Sequence, residues 1–307
     1  MSSFRPLLII EHNYNYPEPF EKLEILLKDR FPERVHLIPF YNGKEPHVFP
    51  VYEHSTYFER YFPQVIDKIY DPKYTHYVVI ADDLMLNPAL NYQNLNDYLK
   101  LDEESSFLPD PWGMVHELSF KWTNSFSAIN SFYLHDLFFH HAPDWKRAFP
   151  PAEEAWKVFE KMGYKRGRIR LNWEKPNAAF PTRLSAIKYY IKQFIKRRRT
   201  PPYPLLTGYA EFFVVEAKAF PQFAKWCETA GQMRLWVEPA LHTFLPLCSR
   251  KVIFEKDRGL HGITIWTPEE NEALFKKHNG SVKSVASEFK PNTLYLHPVK
   301  LTKWQLN

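Results

Sequence analysis

The chain carries an acidic pair, Asp82 and Asp83, directly behind the apolar run HYVVIA and ahead of LMLNP. Adjacent carboxylates at the end of a buried strand can share a hard divalent cation, Mn²⁺ or Mg²⁺, with the phosphates of a ligand, because such ions take oxygen ligands and keep positions open for substrate. The same pair can also serve as solvated turn residues, one of them capping the next turn. Towards the other end, NTLYLHPVKLTKW sets His297 and Lys300 behind a second short apolar run. An imidazole ligates borderline ions such as Mn²⁺, and a nearby ammonium neutralises a diphosphate. Two further acids stand at element ends. Glu211, in LLTGYAEFFVVEAKAF, opens a strand-like run shortly after Gly208 and can accept hydrogen bonds from ligand hydroxyls or simply face solvent. Glu238, in RLWVEPALHTFLPL, falls at a helix N-cap if Pro239 takes the first helical position. A carboxylate there can act as a general base on an incoming hydroxyl, or it can serve the helix dipole, whose capping bonds would lower its pKa. His242, one turn further, reads as structural.

These residues need an architecture that brings them together. Residues 7–10 form a short buried run, 19–30 carry helical spacing at Phe20, Leu23, Leu26 and Leu27, and 35–40 read as a second strand. Ser55 is placed to cap a helix to about residue 70, and 77–81 is the most strand-like stretch of the chain. Strand and helix alternating in this way indicate an α/β fold with an open, mostly parallel sheet flanked by helices, in which ligands bind beyond the carboxyl ends of the strands. Regular structure returns with a strand at 211–215 and helices at 217–229 and 239–247. Residues 102–204 between these halves are aromatic-rich and irregular and read as an insertion. Its HDLFFHH group (His135, Asp136, His140, His141) repeats metal-ligating types without a known ligand frame, so a packed loop or an aromatic wall with Trp112, Trp122 and Trp145 is the better reading. The expected organisation is one domain in three parts, 1–101 for nucleotide, 102–204 for acceptor and 205–307 for the remaining contacts and the metal-binding tail.

At 307 residues with 17% aromatics, the chain can bury a full core. Its two cysteines lie in no CxxC frame, which argues against a disulfide framework or structural zinc and for a reducing, cytoplasmic compartment. The net charge of +5 is mild, but residues 183–199 hold seven basic residues and no acid around Leu184, Ile187, Ile191 and Phe194. Such a basic amphipathic helix fits the inner face of an anionic membrane or packs on its own domain; nucleic acid is a poorer partner, since no recognition motif appears.

VVIADDLMLNP resembles the DxD region of GT-A-fold, nucleotide-sugar-dependent glycosyltransferases, with Ala81 where a strict motif ending at Asp83 has its first aspartate. HPVKLTKW resembles the tail of the same family, in which a histidine returns to the metal. That resemblance implies a GT-A-like fold with Asp83 and His297 on the ion and Asp82, Glu211 and Lys300 on the donor, a UDP-sugar first among candidates. It also implies Glu238 as the base of an inverting enzyme and a glycan or lipid-linked acceptor. A non-catalytic nucleotide-sugar or carbohydrate-binding protein of the same fold is the alternative. A nucleotidyltransferase fits less well, because no glycine-rich phosphate loop follows the first strand.

Overall fold

The computed structural model describes residues 4–118, 125, 128, 129, 132, 144–169 and 201–307. Its centre is a mixed sheet of seven strands: β1 (Pro6–Glu11), β2 (Arg34–Pro39), β3 (Val48–Val51), β4 (His76–Ala81), β6 (Ser105–Leu108), β9 (Phe212–Glu216) and β10 (Lys251–Phe254). They lie in the order β10-β6-β9-β4-β1-β2-β3. All neighbours run parallel except β9, which is antiparallel to both β4 and β6. That reversal puts the beginning of β9, rather than its end, beside the carboxyl ends of β1 and β4.

The alternation along β1 shows why both faces must be covered. Leu7 and Ile9 enter one apolar core with Phe62, Val65, Phe223 and Leu241, while Leu8 and Ile10 enter a second with Leu23, Leu27, Leu296 and Trp304. Successive strand residues point to opposite faces, so a strand apolar throughout is stable only between two layers. The first layer consists of helices Tyr61–Ile69, Phe220–Gln232 and Val237–Cys248. Phe220 stacks on Tyr77 of β4 with ring centroids 4.3 Å apart. The second layer is helix Pro17–Leu27 together with a small sheet in which β12 (Thr293–His297) lies between β11 (His261–Thr264) and β5 (Met85–Leu86). Among the described residues, an antiparallel pair of β7 (Pro111–Met114) and β8 (Leu206–Gly208), distant in sequence, completes the strands.

Several expected boundaries change. The helix expected from Ser55 is a 3₁₀ turn, Ser55–Arg60, followed by the α-helix Tyr61–Ile69, because Tyr57 leaves helical geometry at φ −123° and ψ 48°. His54, not Ser55, caps the turn by accepting from the Thr56 amide at 3.2 Å. β3 carries too little periodicity to be read from its residues. β6 lies within the stretch read as an insertion, yet it is a strand of the main sheet between β9 and β10. Trp145, expected on an aromatic wall, is a core residue packed on Phe132 and Tyr203. The basic stretch 183–199, Trp122 and the HDLFFHH group lie outside the described residues. Among the described residues, no helix is long and apolar enough to cross a membrane.

Candidate functional site

The carboxyl ends of β1 and β4 adjoin the start of β9, and the side chains there are overwhelmingly acidic. β4 ends at Ala81, whose amide donates to the Glu211 carbonyl at 3.1 Å, and the Asp82 amide then donates to the Glu11 carbonyl at 2.8 Å. The turn that follows exposes Asp83. β12 reaches the same place from the far end of the chain, because β5, just past that turn, pairs antiparallel with it, Leu86 opposite Tyr295. The Val299 amide donates to the Asp83 carbonyl at 2.6 Å and fixes the register.

His297 Nε2 consequently lies 3.1 Å from Asp83 Oδ1. Two ligands in adjacent positions of an octahedral ion are about 3 Å apart, so this pair has the spacing and the donor types for Mg²⁺ or Mn²⁺. Each side chain keeps nearly a fifth of its surface open, 19% and 18%, leaving access for water and phosphate oxygens. Burial works to lower the His297 pKa, but the Asp83 hydrogen bond and the charges of Asp83, Glu211 and Asp82 outweigh it and raise the net value. Lys300, exposed on the same tail, lines a cleft with Asp82, Asp83, Asn13 and Tyr14.

Asp82 faces inward. Burial and then the charge of Asp83 lift its pKa to about 7, against the opposing hydrogen bond from Asn13. Asn13 Nδ2 donates to Asp82 Oδ1 at 2.8 Å and reaches Asp83 Oδ1 at 3.5 Å, so one amide ties the two carboxylates together. Glu211 precedes β9 instead of beginning it, and burial raises its pKa to about 7 while His297 opposes and Asp83, Glu238 and Asp82 add to the rise. Glu238 is not an N-cap. The helix begins at Val237 with Trp236 as its cap, so Glu238 lies in the first turn, where the helix dipole favours a carboxylate. Its charge acts on Glu211 and on Glu59, which places it in the same acidic neighbourhood.

Glu59 and Glu11 are further members that their sequence context does not reveal. Both are buried, and burial foremost lifts their pKa values well above the ordinary range. Both oxygens of Glu59 and one of Glu11 lack a hydrogen-bond partner. An unpaired buried carboxylate is costly as an anion, so burial favours the protonated form of both. His242 is structural: it is fully buried, its ring nitrogens lie 3.2 Å from the Glu238 carbonyl and 3.3 Å from the Pro109 carbonyl, and burial lowers its pKa to about 4.

Beyond His297 an aromatic series leads outward. The Tyr209 ring stacks on Tyr295 at 5.4 Å, meets the His297 ring edge-on at 5.6 Å and approaches Trp266, which in turn meets Trp112 at 5.6 Å. Trp112 thus joins this aromatic series, and Trp266, which the sequence reading did not single out, is more than half exposed at 51%. Compared with models of known protein families and with curated protein sequences, the chain matches none.

Proposed function

We propose that the protein is a metal-dependent glycosyltransferase of GT-A-like fold, transferring a sugar from a nucleotide-diphosphate sugar to a glycan or lipid-linked acceptor. The observation that carries this reading is the meeting of Asp83 and His297, from distant parts of the chain, at a cleft that Asp83 lines together with Lys300. In it, Asp83 and His297 hold a Mn²⁺ or Mg²⁺ ion, which when bound supplies positive charge for a departing diphosphate. Lys300 adds a second cation on the open side, where phosphate oxygens enter. Asp82, held by Asn13, orients Asp83 and accepts from the donor's ribose or from water around the ion.

Glu211 sits where the donor sugar would enter and accepts from its hydroxyls. Glu238 removes the proton of the acceptor hydroxyl as its oxygen bonds to the anomeric carbon and the bond from that carbon to the departing diphosphate breaks. The apolar faces of sugar rings pack on Trp112, Trp266 and Tyr209.

The test is nucleotide release from a panel of UDP-, GDP- and CMP-sugars with Mn²⁺. We expect slow release with at least one donor, reduced on the order of 10²-fold by Asp83→Asn and by His297→Gln. Tight donor binding with no release, even with acceptors present, would identify a nucleotide-sugar-binding protein instead. Release that is indifferent to both substitutions would refute the site.

A further inference from the structure

A second cluster of ligating groups lies beside His12. Glu24 comes from helix Pro17–Leu27, His36 from the middle of β2, and His47 from the residue before β3. One potential ligand atom from each lies within 4.8 Å of the others. His36 Nε2 is 2.9 Å from Glu24 Oε1, and His47 Nε2 is 3.4 Å from Glu24 Oε2. Tetrahedral ligands at zinc distances stand about 3.3 Å apart, so both histidine–glutamate separations are close to those of a shared ion. The Phe20 ring seats both imidazoles, with centroids 4.8 Å from His36 and 5.9 Å from His47.

The neighbours of His36 suit the outer shell of a metal site. His36 Nδ1 lies 2.8 Å from His12 Nε2, and the buried His12 Nδ1, which has no hydrogen-bond partner, lies 3.5 Å from Asp82 Oδ2. Asp82, His12, His36 and Glu24 therefore form a line, with both rings buried. With a cation between Glu24 and His36, His36 Nδ1–H donates to His12 and His12 Nδ1–H points to Asp82. A ligating histidine whose other nitrogen donates into an outer shell ending on a carboxylate is the usual support of a metal site. His47 Nε2 is likewise a buried atom without a hydrogen-bond partner, 3.4 Å from Glu24 Oε2.

We infer that Glu24, His36 and His47 bind one divalent transition ion, zinc by the chemistry of two imidazoles and a carboxylate. Arg34 already donates to both Glu24 oxygens, through Nε at 2.7 Å and through Nη2. A carboxylate has about four lone-pair sites, so Arg34 remains as an outer-shell partner while Glu24 ligates the ion.

The inference does not depend on the proposed transferase activity, and its test removes the other metal site first. The full chain bearing Asp83→Ala and His297→Ala is stripped with a chelator, equilibrated with zinc alone, dialysed and assayed for metal by mass spectrometry. We expect one zinc per chain, at least a tenfold weaker zinc affinity when His47→Ala is added, and a zinc-dependent rise in melting temperature that His47→Ala abolishes. Glu24→Gln provides the second variant, and circular dichroism reports whether each variant folds. Cobalt in place of zinc should give the visible absorption of a tetrahedral site, lost in both variants. Failure to retain zinc in the folded parent, or equal retention with and without His47, overturns the assignment.

Discussion

Glu255 shows what the acidic interior costs at a single residue. It is buried, one carboxylate oxygen has no hydrogen-bond partner, and burial, opposed by the Tyr295 hydroxyl and aided by Asp110, raises its pKa to about 7. A glutamate in the unfolded chain titrates near 4.3. The folded form therefore keeps a proton that the unfolded form loses between about pH 4.3 and 7, and the stability contributed by that proton is full below this window and gone above it. Glu255→Gln should leave stability nearly unchanged at pH 4.5 and raise it by about 3–4 kcal/mol at pH 8, as read from urea unfolding at the two values. An equal effect at both would mean that Glu255 is not held protonated. At this scale the sequence was informative where a group follows an apolar run: Asp82, Asp83, Glu211, His297 and Lys300 all stand at strand ends. Asn13 and Glu59 carried no such signal, because an amide in NYNY and a glutamate in STYFER have the appearance of ordinary surface residues. Their roles arise only from the neighbours that the fold supplies. The Glu24, His36 and His47 group was hidden for the same reason, its members belonging to three separate elements.

Among the elements, the contact of β8 with helix Val237–Cys248 fixes the entry of Glu238. A Cβ on Gly208 would stand 2.3 Å from His242 Nε2 and 2.6 Å from its Cδ2, and this ring is enclosed by the Pro109 and Glu238 carbonyls. Gly208→Ala should consequently cost about 1–3 kcal/mol through overpacking, although alanine suits a strand better than glycine does. Chemical denaturation measures it; a neutral or stabilising result would show that the helix moves freely. The close approach at Gly208 was legible, but its partner was not. Elements with strong periodicity, β1, β4 and helices Pro17–Leu27 and Phe220–Gln232, were readable to within a few residues. The antiparallel sense of β9 was not, since a strand's direction is set by the connection that precedes it and leaves no mark on its own residues. The kink at Tyr57 escaped because the apolar spacing of 58–69 begins only after it and Ser55 is a residue type that suits a helix cap.

For the molecule as a whole, the segment after β12 works as a clasp. Trp304 is 1% exposed among Leu301, Val282 and Phe275, and Lys22 Nζ donates to the carbonyls of Leu301 and Trp304, each at 2.7 Å. Removing the indole should cost about 3–5 kcal/mol, the range for large aromatic truncations in a core. Because Lys300 belongs to the clasp, Trp304→Ala should also weaken donor binding more than it slows turnover, seen as a rise in KM beyond the fall in kcat at a temperature where the variant is folded. A variant that loses stability but keeps its KM would separate the clasp from the cleft.

The pairing of β5 with β12 has a consequence for the order in which the protein is made. Asp83 leaves the ribosome 214 residues ahead of His297. At about 5–20 residues per second, roughly 10–40 s of translation separate them. During that interval β5 lacks its strand partner and Leu86 its cover, so the nascent amino-terminal half carries an exposed apolar edge beside Asp83, whose hydrogen-bond partner His297 is not yet made. Any chain released before residue 293 remains permanently without β12 and His297, and unlike a finished one it presents that edge to chaperones and proteases.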